Sequence, residues 1–590
     1  MFFRFRKQTN RAWLLPAIFL LLIPTPAEAQ RRAAARGAER HYQAGLALLE
    51  KQELDQAIAE LSLSTKLNPK SALAYKALGI ALSRKGELQA AGESFRKAIQ
   101  INPRIYEAQL GLASVLQQKG DLEGAIAAFK QAASLKPQDA EGRLFLGAAY
   151  QQKGDLEFAI AEYRQATQLK PDNAEMHARL GYALATKGAL QEAITEYETA
   201  VGLNPELGEA QYYLGAARWF SKDVDGAIAA LTKSTKLLPT HPNAHYYLGL
   251  ALEKKGDLQS AIDELKTAVA LAPEMIEARQ ALGRALDKDE DLDGAIEAFQ
   301  AVIRLKPDLA QAHNDLGLTL VRKRDPEGAI AAFNAALKLD PNDLVANYNL
   351  GMVLIQKADY AAAVEQYRKL LTLAPESGEV HYNLGLALKQ RDKLDEAVTE
   401  LRKAIALQPS LHEAHYMLGV IFSQQSKPDD AVAALKTAVE IKPDYAAAHY
   451  FLGTVLQQQG KVDDAIASFR KALEFAPAAP EIHNTLGAAL RQKGDKAGAQ
   501  AEFQEAARLN KIKSDQQAAV FATNTGLARL NAGDLDAAIE RFQAATQLDP
   551  TNAVGFYNLA LALQKKGQKE AAQTAYQKAQ DLNPRVKPLP

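Results

Sequence analysis

The chain has 590 residues, 47% hydrophobic and 24% charged, with 70 basic and 70 acidic side chains. A formal charge of zero gives no basis for nucleic-acid binding, which needs a basic face. Cysteine is absent, so the chain has no disulfides and no lipid attached at a cysteine, and its stability has to come from packing.

Residues 1–29 read as a secretory signal peptide. Arg4, Arg6, Lys7 and Arg11 precede an apolar run from Ala12 to Ile23, followed by Pro24, Pro26 and the small-residue pattern Ala27-Glu28-Ala29, so cleavage is expected before Gln30. The rival is an uncleaved membrane anchor, but the run carries Pro16 and falls short of the roughly twenty residues that span a bilayer. No later apolar stretch approaches that length. The mature chain is therefore expected to lack a transmembrane segment and to be periplasmic or extracellular, with 66 basic and 69 acidic residues left after cleavage.

From residue 38 a unit of 34 residues recurs. Ala57, Ala91, Ala125, Ala159 and Ala193 are each 34 apart, the series runs unbroken to Ala499, and it resumes at Ala538 and Ala572. With each repeat numbered from seven residues before its glycine, position 8 is Gly in fourteen of sixteen repeats, with Ala113 and Ala560 as the exceptions. Position 20 is Ala in all sixteen, and position 32 is Pro in all but one. In repeat 4 the frame is Leu146, Gly147, Tyr150, Ala159, Tyr163, Ala166 and Pro171. Positions 7, 8 and 11 share one face of a first helix (A), and positions 20, 24 and 27 one face of a second (B). Lys153-Gly154-Asp155 reads as a turn: a glycine that can turn left-handed to end helix A, then an acid that can cap helix B. Pro171 stops helix B.

A 34-residue unit of this form resembles the tetratricopeptide repeat (TPR) family. The resemblance implies an all-α, right-handed superhelical solenoid of about sixteen helix-turn-helix repeats. Repeats 1–14 occupy 38–513 and repeats 15–16 occupy 519–586, followed by a short tail at 587–590. Between the two groups Lys511 replaces the expected proline and the polar residues 514–518 are inserted. A lengthened surface loop is expected there, or a hinge. The last hairpin is expected to cap itself with Lys569, Glu570, Gln573, Gln577, Lys578 and Gln580.

No catalytic motif stands outside the repeat frame: there is no phosphate loop, no nucleophile elbow, no His-Glu-x-x-His and no Cys cluster. The chain is therefore expected not to be an enzyme and to carry no cofactor or metal. Eight histidines recur at position 4: His41, His177, His245, His313, His381, His415, His449 and His483. Packed helix axes lie about 8–10 Å apart, and an intervening helix separates equivalent side chains of successive repeats, so they cannot share a metal. The column is expected to be structural.

By resemblance to the family, the A helices line a concave groove, with positions 2, 5, 9, 12 and 13 toward the ligand. Position 5 is Tyr in half the repeats, and the aromatic residues at the groove positions concentrate in two stretches. Tyr212, Trp219, Phe220 and Tyr246 lie in repeats 6 and 7, and Tyr348, Tyr382, Tyr416 and Tyr450 in repeats 10–13. A tyrosine can bind an extended peptide or pack on the next repeat and stiffen the array. Trp219 can be a binding hot spot or a substituted packing residue. The carboxylate clamp of chaperone-binding TPR domains needs Lys at position 5 with Asn at position 9, and Lys76 is followed by Ile80. The array also resembles the TPR arm of O-linked N-acetylglucosamine transferases, where Asn at position 6 holds a peptide backbone. Asn349, Asn383, Asn524 and Asn558 match that position, while Arg179, Tyr213, Tyr247, Met417 and Phe451 do not, so only a short ladder at Asn349 and Asn383 is expected.

The expected function is a non-enzymatic scaffold that binds protein partners through extended peptide segments in its groove. Two alternatives stand beside it: a component of a polysaccharide-export or envelope-assembly machine, and an arm serving a separate glycosyltransferase.

Overall fold

A computed structural model of the chain describes residues 26–589; most of the expected signal peptide lies outside the described residues. These residues form 31 helices and no strand. The chain divides into two compact units: the first runs to Leu305 and contains repeats 1–8, and the second starts at Lys306 and contains repeats 9–16. The first helix, Pro26–Glu50, runs through the expected cleavage motif into repeat 1.

Repeat 4 shows how the unit is built. Its A helix is Ala140–Lys153 and its B helix Leu156–Leu169. Ala159 and Ala166 are fully buried, and Tyr163 is 1% exposed. A Cβ on Gly147 would lie 2.6 Å from the Tyr163 ring, closer than real contacts allow, so glycine at position 8 is the space that the position-24 side chain fills. The same encounter recurs as Gly181 with Tyr197, Gly283 with Phe299 and Gly453 with Phe469.

The turn departs from expectation at Asp155. It makes no capping hydrogen bond; its carboxylate instead sits 3.0 Å from Lys153, whose ammonium also holds Glu123 at 2.7 Å. Asp121, Asp223, Asp257, Asp325, Asp359, Asp495 and Asp534 do cap, with Gly, Ser or Ala three residues on, where Asp155 has Phe158. Gly154 is left-handed at φ 92°, as are Gly86, Gly188, Gly256 and others at the same position. Seven repeats put another residue there, among them Ala358 at φ 61° and Asp392 at φ 59°. A left-handed L-residue costs roughly 1–2 kcal/mol, part of which glycine returns as unfolded-state entropy. Ala358→Gly is therefore expected to raise the urea midpoint, by about 0.5–1 kcal/mol of stability, and Gly154→Ala to lower it. Shifts of the same sign would rule out this account.

Residues 514–518 form neither the expected loop nor a break. They are helical, and a single helix, Lys496–Asn531, serves as helix B of repeat 14 and helix A of repeat 15. From Ala499 to Thr525 there is neither proline nor glycine, so with Lys511 in place of the proline nothing stops the helix. In the last hairpin, Lys569, Glu570, Gln573, Gln577 and Lys578 are exposed as expected, while Gln580 is half-buried and donates to the Tyr576 hydroxyl.

Position 4 ties successive repeats together. His177 Nε2 donates to the Pro171 carbonyl at 3.1 Å while its Nδ1 meets Glu196 at 2.6 Å, and His245, His381 and His483 repeat both contacts. In four repeats without histidine another donor reaches the same carbonyl: Arg143 bonds Pro137 and Glu162, Gln211 bonds Pro205, Arg279 bonds Pro273 and Asn347 bonds Pro341. From Pro137 to Pro477 the proline after each B helix leaves a carbonyl that position 4 of the next A helix satisfies, which accounts for the histidine column there. At His483, burial opposes the charged ring, but the Glu502 carboxylate and the Pro477 carbonyl outweigh it and the pKa is raised.

Within each unit, the A helices of neighbouring repeats touch one another, as in repeats 5, 6 and 7 or 10, 11 and 12, and no B helix meets the next B helix to a comparable extent. Each stack therefore bends with its A helices on the inner side. No described helix is long and apolar enough to cross a membrane.

Candidate peptide-binding face

In repeat 6 the A helix is Gly208–Phe220, between those of repeat 5 (Ala174–Lys187) and repeat 7 (Pro242–Lys255). Trp219 and Phe220, adjacent at its end, lie at different depths. Trp219 packs on a cluster of Ala227, Leu231, Leu248 and Ala251, together with Tyr212 and Tyr247. Phe220 is 58% exposed and meets the Tyr247 ring edge-on at 5.7 Å. Tyr212 and Tyr246 are half-buried, and burial pushes both phenol pKa values up.

These rings belong to a continuous aromatic surface. Tyr212 touches Tyr213 at 5.0 Å and Tyr247 at 6.4 Å, Tyr246 touches Tyr247 at 5.1 Å, and Tyr182 meets Tyr213 edge to face at 5.1 Å. Tyr182, Tyr213 and Tyr247 were not among the expected site residues. For Tyr213 and Tyr247 the sequence signal is the doublets Tyr212-Tyr213 and Tyr246-Tyr247, whereas Tyr182, at position 9 of repeat 5, has no such neighbour. Between the A helices of repeats 5 and 6 this surface opens into a cleft of about 520 Å³, lined by Glu175, Ala178, Arg179, Tyr182, Glu209 and Tyr213 among others.

The second stretch packs at position 5 much as Tyr212 does against Tyr247. Tyr348, Tyr382, Tyr416 and Tyr450 are all half-buried against the core of the second unit. The Tyr348 hydroxyl accepts from Asn383 Nδ2 at 3.2 Å, and the Tyr450 hydroxyl lies 3.3 Å from Thr485 Oγ1. Tyr416 meets Phe451 edge-on at 6.2 Å. Each of these contacts joins position 5 of one repeat to position 6 of the next. Asn383 is only 6% exposed, and Asn349 Nδ2 donates to Asn314 Oδ1 at 3.4 Å, so both asparagines of the expected short ladder bond to neighbouring repeats. Position 5 is thus half-buried in both stretches, and what sets repeats 5–7 apart is the exposure of Tyr182 and Phe220. Among the described residues no group of three or more His, Asp or Glu side chains is placed to hold a metal.

No match was found among curated proteins. Among solved structures, the chain is similar to YrrB, described as a TPR protein with an unusual peptide-binding site, at 24% identity over 32% of this chain and 96% of that one, TM-score 0.30. It is similar to MamA at 31% identity over 28% of this chain and 91% of that one, TM-score 0.27. The C-terminal part of a TPR repeat-containing protein from Cytophaga hutchinsonii is 20% identical over 40% of this chain and 98% of that one, TM-score 0.35. A family model described as tetratricopeptide repeat matches residues 42–104, 212–276, 281–343, 348–412 and 416–480. Two further models, described as TPR repeat and tetratricopeptide repeat, match 114–154, 147–188 and 526–567, and 174–207 and 553–586. With the glycine, alanine and proline positions each explained by a contact, and the matches reaching across both units, the chain belongs to the tetratricopeptide repeat family.

Proposed function

We propose that this protein is a non-enzymatic interaction scaffold that binds extended peptide segments of its partners on the A-helix side. Membership of the TPR family supports a protein-interaction scaffold. The observation that carries the finer reading is the exposure of Tyr182 and Phe220, 40% and 58%, beside the half-buried Tyr213 and Tyr247, because the packing positions of the repeat supply the core without these two rings. Tyrosine and phenylalanine supply large contact area at low entropy cost, which suits an extended chain. The test is selection from a displayed random-peptide library on the full chain. Enriched peptides are expected to compete for one site and to lose affinity on Phe220→Ala; enrichment of none would refute the reading.

We also propose export. The basic, apolar and small-residue order of residues 1–29 supports it. Mass spectrometry of protein recovered from the periplasm or medium is expected to show Gln30 at the amino terminus. Full-length protein confined to the cytoplasm would refute it.

A further inference from the structure

The acid at position 2 of helix A is treated differently in successive repeats. In repeat 3, Glu107 pairs with Lys136 at 3.3 Å, and the same ammonium stands 4.1 Å from the centre of the Tyr106 ring. In repeat 4, Glu141 pairs with Lys170 at 2.9 Å. Both lysines occupy position 31, beside the proline. Repeats 5 and 6 carry Asn204 and Leu238 there, so the chain's own cation is missing. Glu175 turns instead to Arg179 on its own helix, at 2.9 Å. Glu209, exposed, is left without an ion pair among the described residues.

Glu209 lies on the cleft that Tyr182 and Tyr213 line, and Tyr182 is 40% exposed. Of the charged groups at the cleft, Glu175 and Arg179 neutralise each other, which leaves one negative charge beside two aromatic rings. Burial first, and then the Glu209 charge, raise the Tyr213 pKa against a smaller opposing effect of Arg179, which places both charges in the field of the ring. A carboxylate with aromatic faces attracts a cation more strongly than either does alone.

We propose that this cleft accepts a lysine side chain of an extended partner segment, its ammonium paired with Glu209 and lying against Tyr182 and Tyr213. Repeat 3 holds the internal version of the same arrangement in Lys136, Glu107 and Tyr106. The proposal rests on the peptide-binding reading of the A-helix side and adds the residue type that it selects.

The test is fluorescence anisotropy of three labelled peptides on the full chain: alternating serine and lysine, the same peptide with norleucine for lysine, and the same with glutamate. The lysine peptide is expected to bind at least about tenfold tighter than the norleucine peptide, and the glutamate peptide not at all. Glu209→Gln is expected to cut lysine-peptide affinity about tenfold and leave the norleucine peptide unchanged, and Tyr182→Leu to weaken both. Equal binding of lysine and norleucine peptides, both sensitive to Tyr182→Leu, overturns the selection of a cation while the peptide-binding reading stands. Lysine-peptide binding that neither substitution changes overturns the cleft as the site. Binding of no peptide overturns both readings.

Discussion

Deleting residues 378–411, one whole repeat, is expected to leave a folded array with unchanged helicity per residue, whereas deleting 378–394 is expected to unfold much of the second unit. The first deletion joins Ser377 to His412, which restores the register of position 34 to position 1. His415 then stands where His381 stood, six residues beyond Pro375, and can take over its carbonyl. The second deletion removes the A helix Gly378–Gln390, with Leu384 and Leu388, 2% and 1% exposed, together with Leu394, and leaves the rest of the B helix Leu394–Leu407 without its partner. Leu401 and Ala404, fully buried in the intact chain, would face water. Each large apolar side chain so exposed forfeits about 1.5–3 kcal/mol, and the faces beyond the junction lose their match. Circular dichroism and urea unfolding distinguish the two; equal loss of helicity in both would contradict nearest-neighbour stability.

The adjacent aromatics of repeat 6 are expected to respond in opposite ways. Phe220→Ala should change stability by about 1 kcal/mol or less, since the ring is 58% exposed and its one ring partner is Tyr247. Its effect on a bound peptide should reach about 2 kcal/mol, the loss typical of a hot-spot aromatic. Trp219→Ala should instead destabilise the fold, by about 3 kcal/mol, because its ring packs on Ala227, Leu231, Leu248 and Ala251 and truncation leaves a cavity. Thermal melts and peptide titrations on both variants separate the roles. If Trp219→Ala loses affinity with no change in melting temperature, Trp219 is the anchor after all. If Phe220→Ala binds as the parent does, the exposed ring is not part of the site.

The hairpin and its repetition were legible because they depend on neighbours close in sequence. Glycine at position 8 faces the position-24 side chain sixteen residues later, a ring as in Gly147 with Tyr163 or a leucine as in Gly215 with Leu231, and the sequence separation is the same wherever the pair occurs. The exact-period positions therefore report packing directly. Positions that vary were harder to read. Asp155 was expected to cap and pairs with Lys153, which the Lys-Gly-Asp triplet does not announce, since Asp257 in the same triplet caps. The inserted residues 514–518 were expected as a loop from their polarity, yet polarity does not stop a helix when no proline or glycine is present.

The candidate site divides along the same line. Aromatic enrichment on the A-helix side could be counted from the sequence, but the depth of each ring could not. Trp219 and Phe220 are one residue apart, so they point in directions about 100° apart around the helix, and only the neighbouring repeat decides which direction is covered. Tyr348 and Asn383 likewise belong to different repeats and became one hydrogen bond when the repeats stacked. By itself, the sequence determined the repeating unit, its two helices and their buried faces, because 34-residue periodicity encodes contacts within a hairpin. Tertiary structure alone decided which aromatic residues tie repeat to repeat and which stay open to a partner, because burial between repeats depends on the side chains of both.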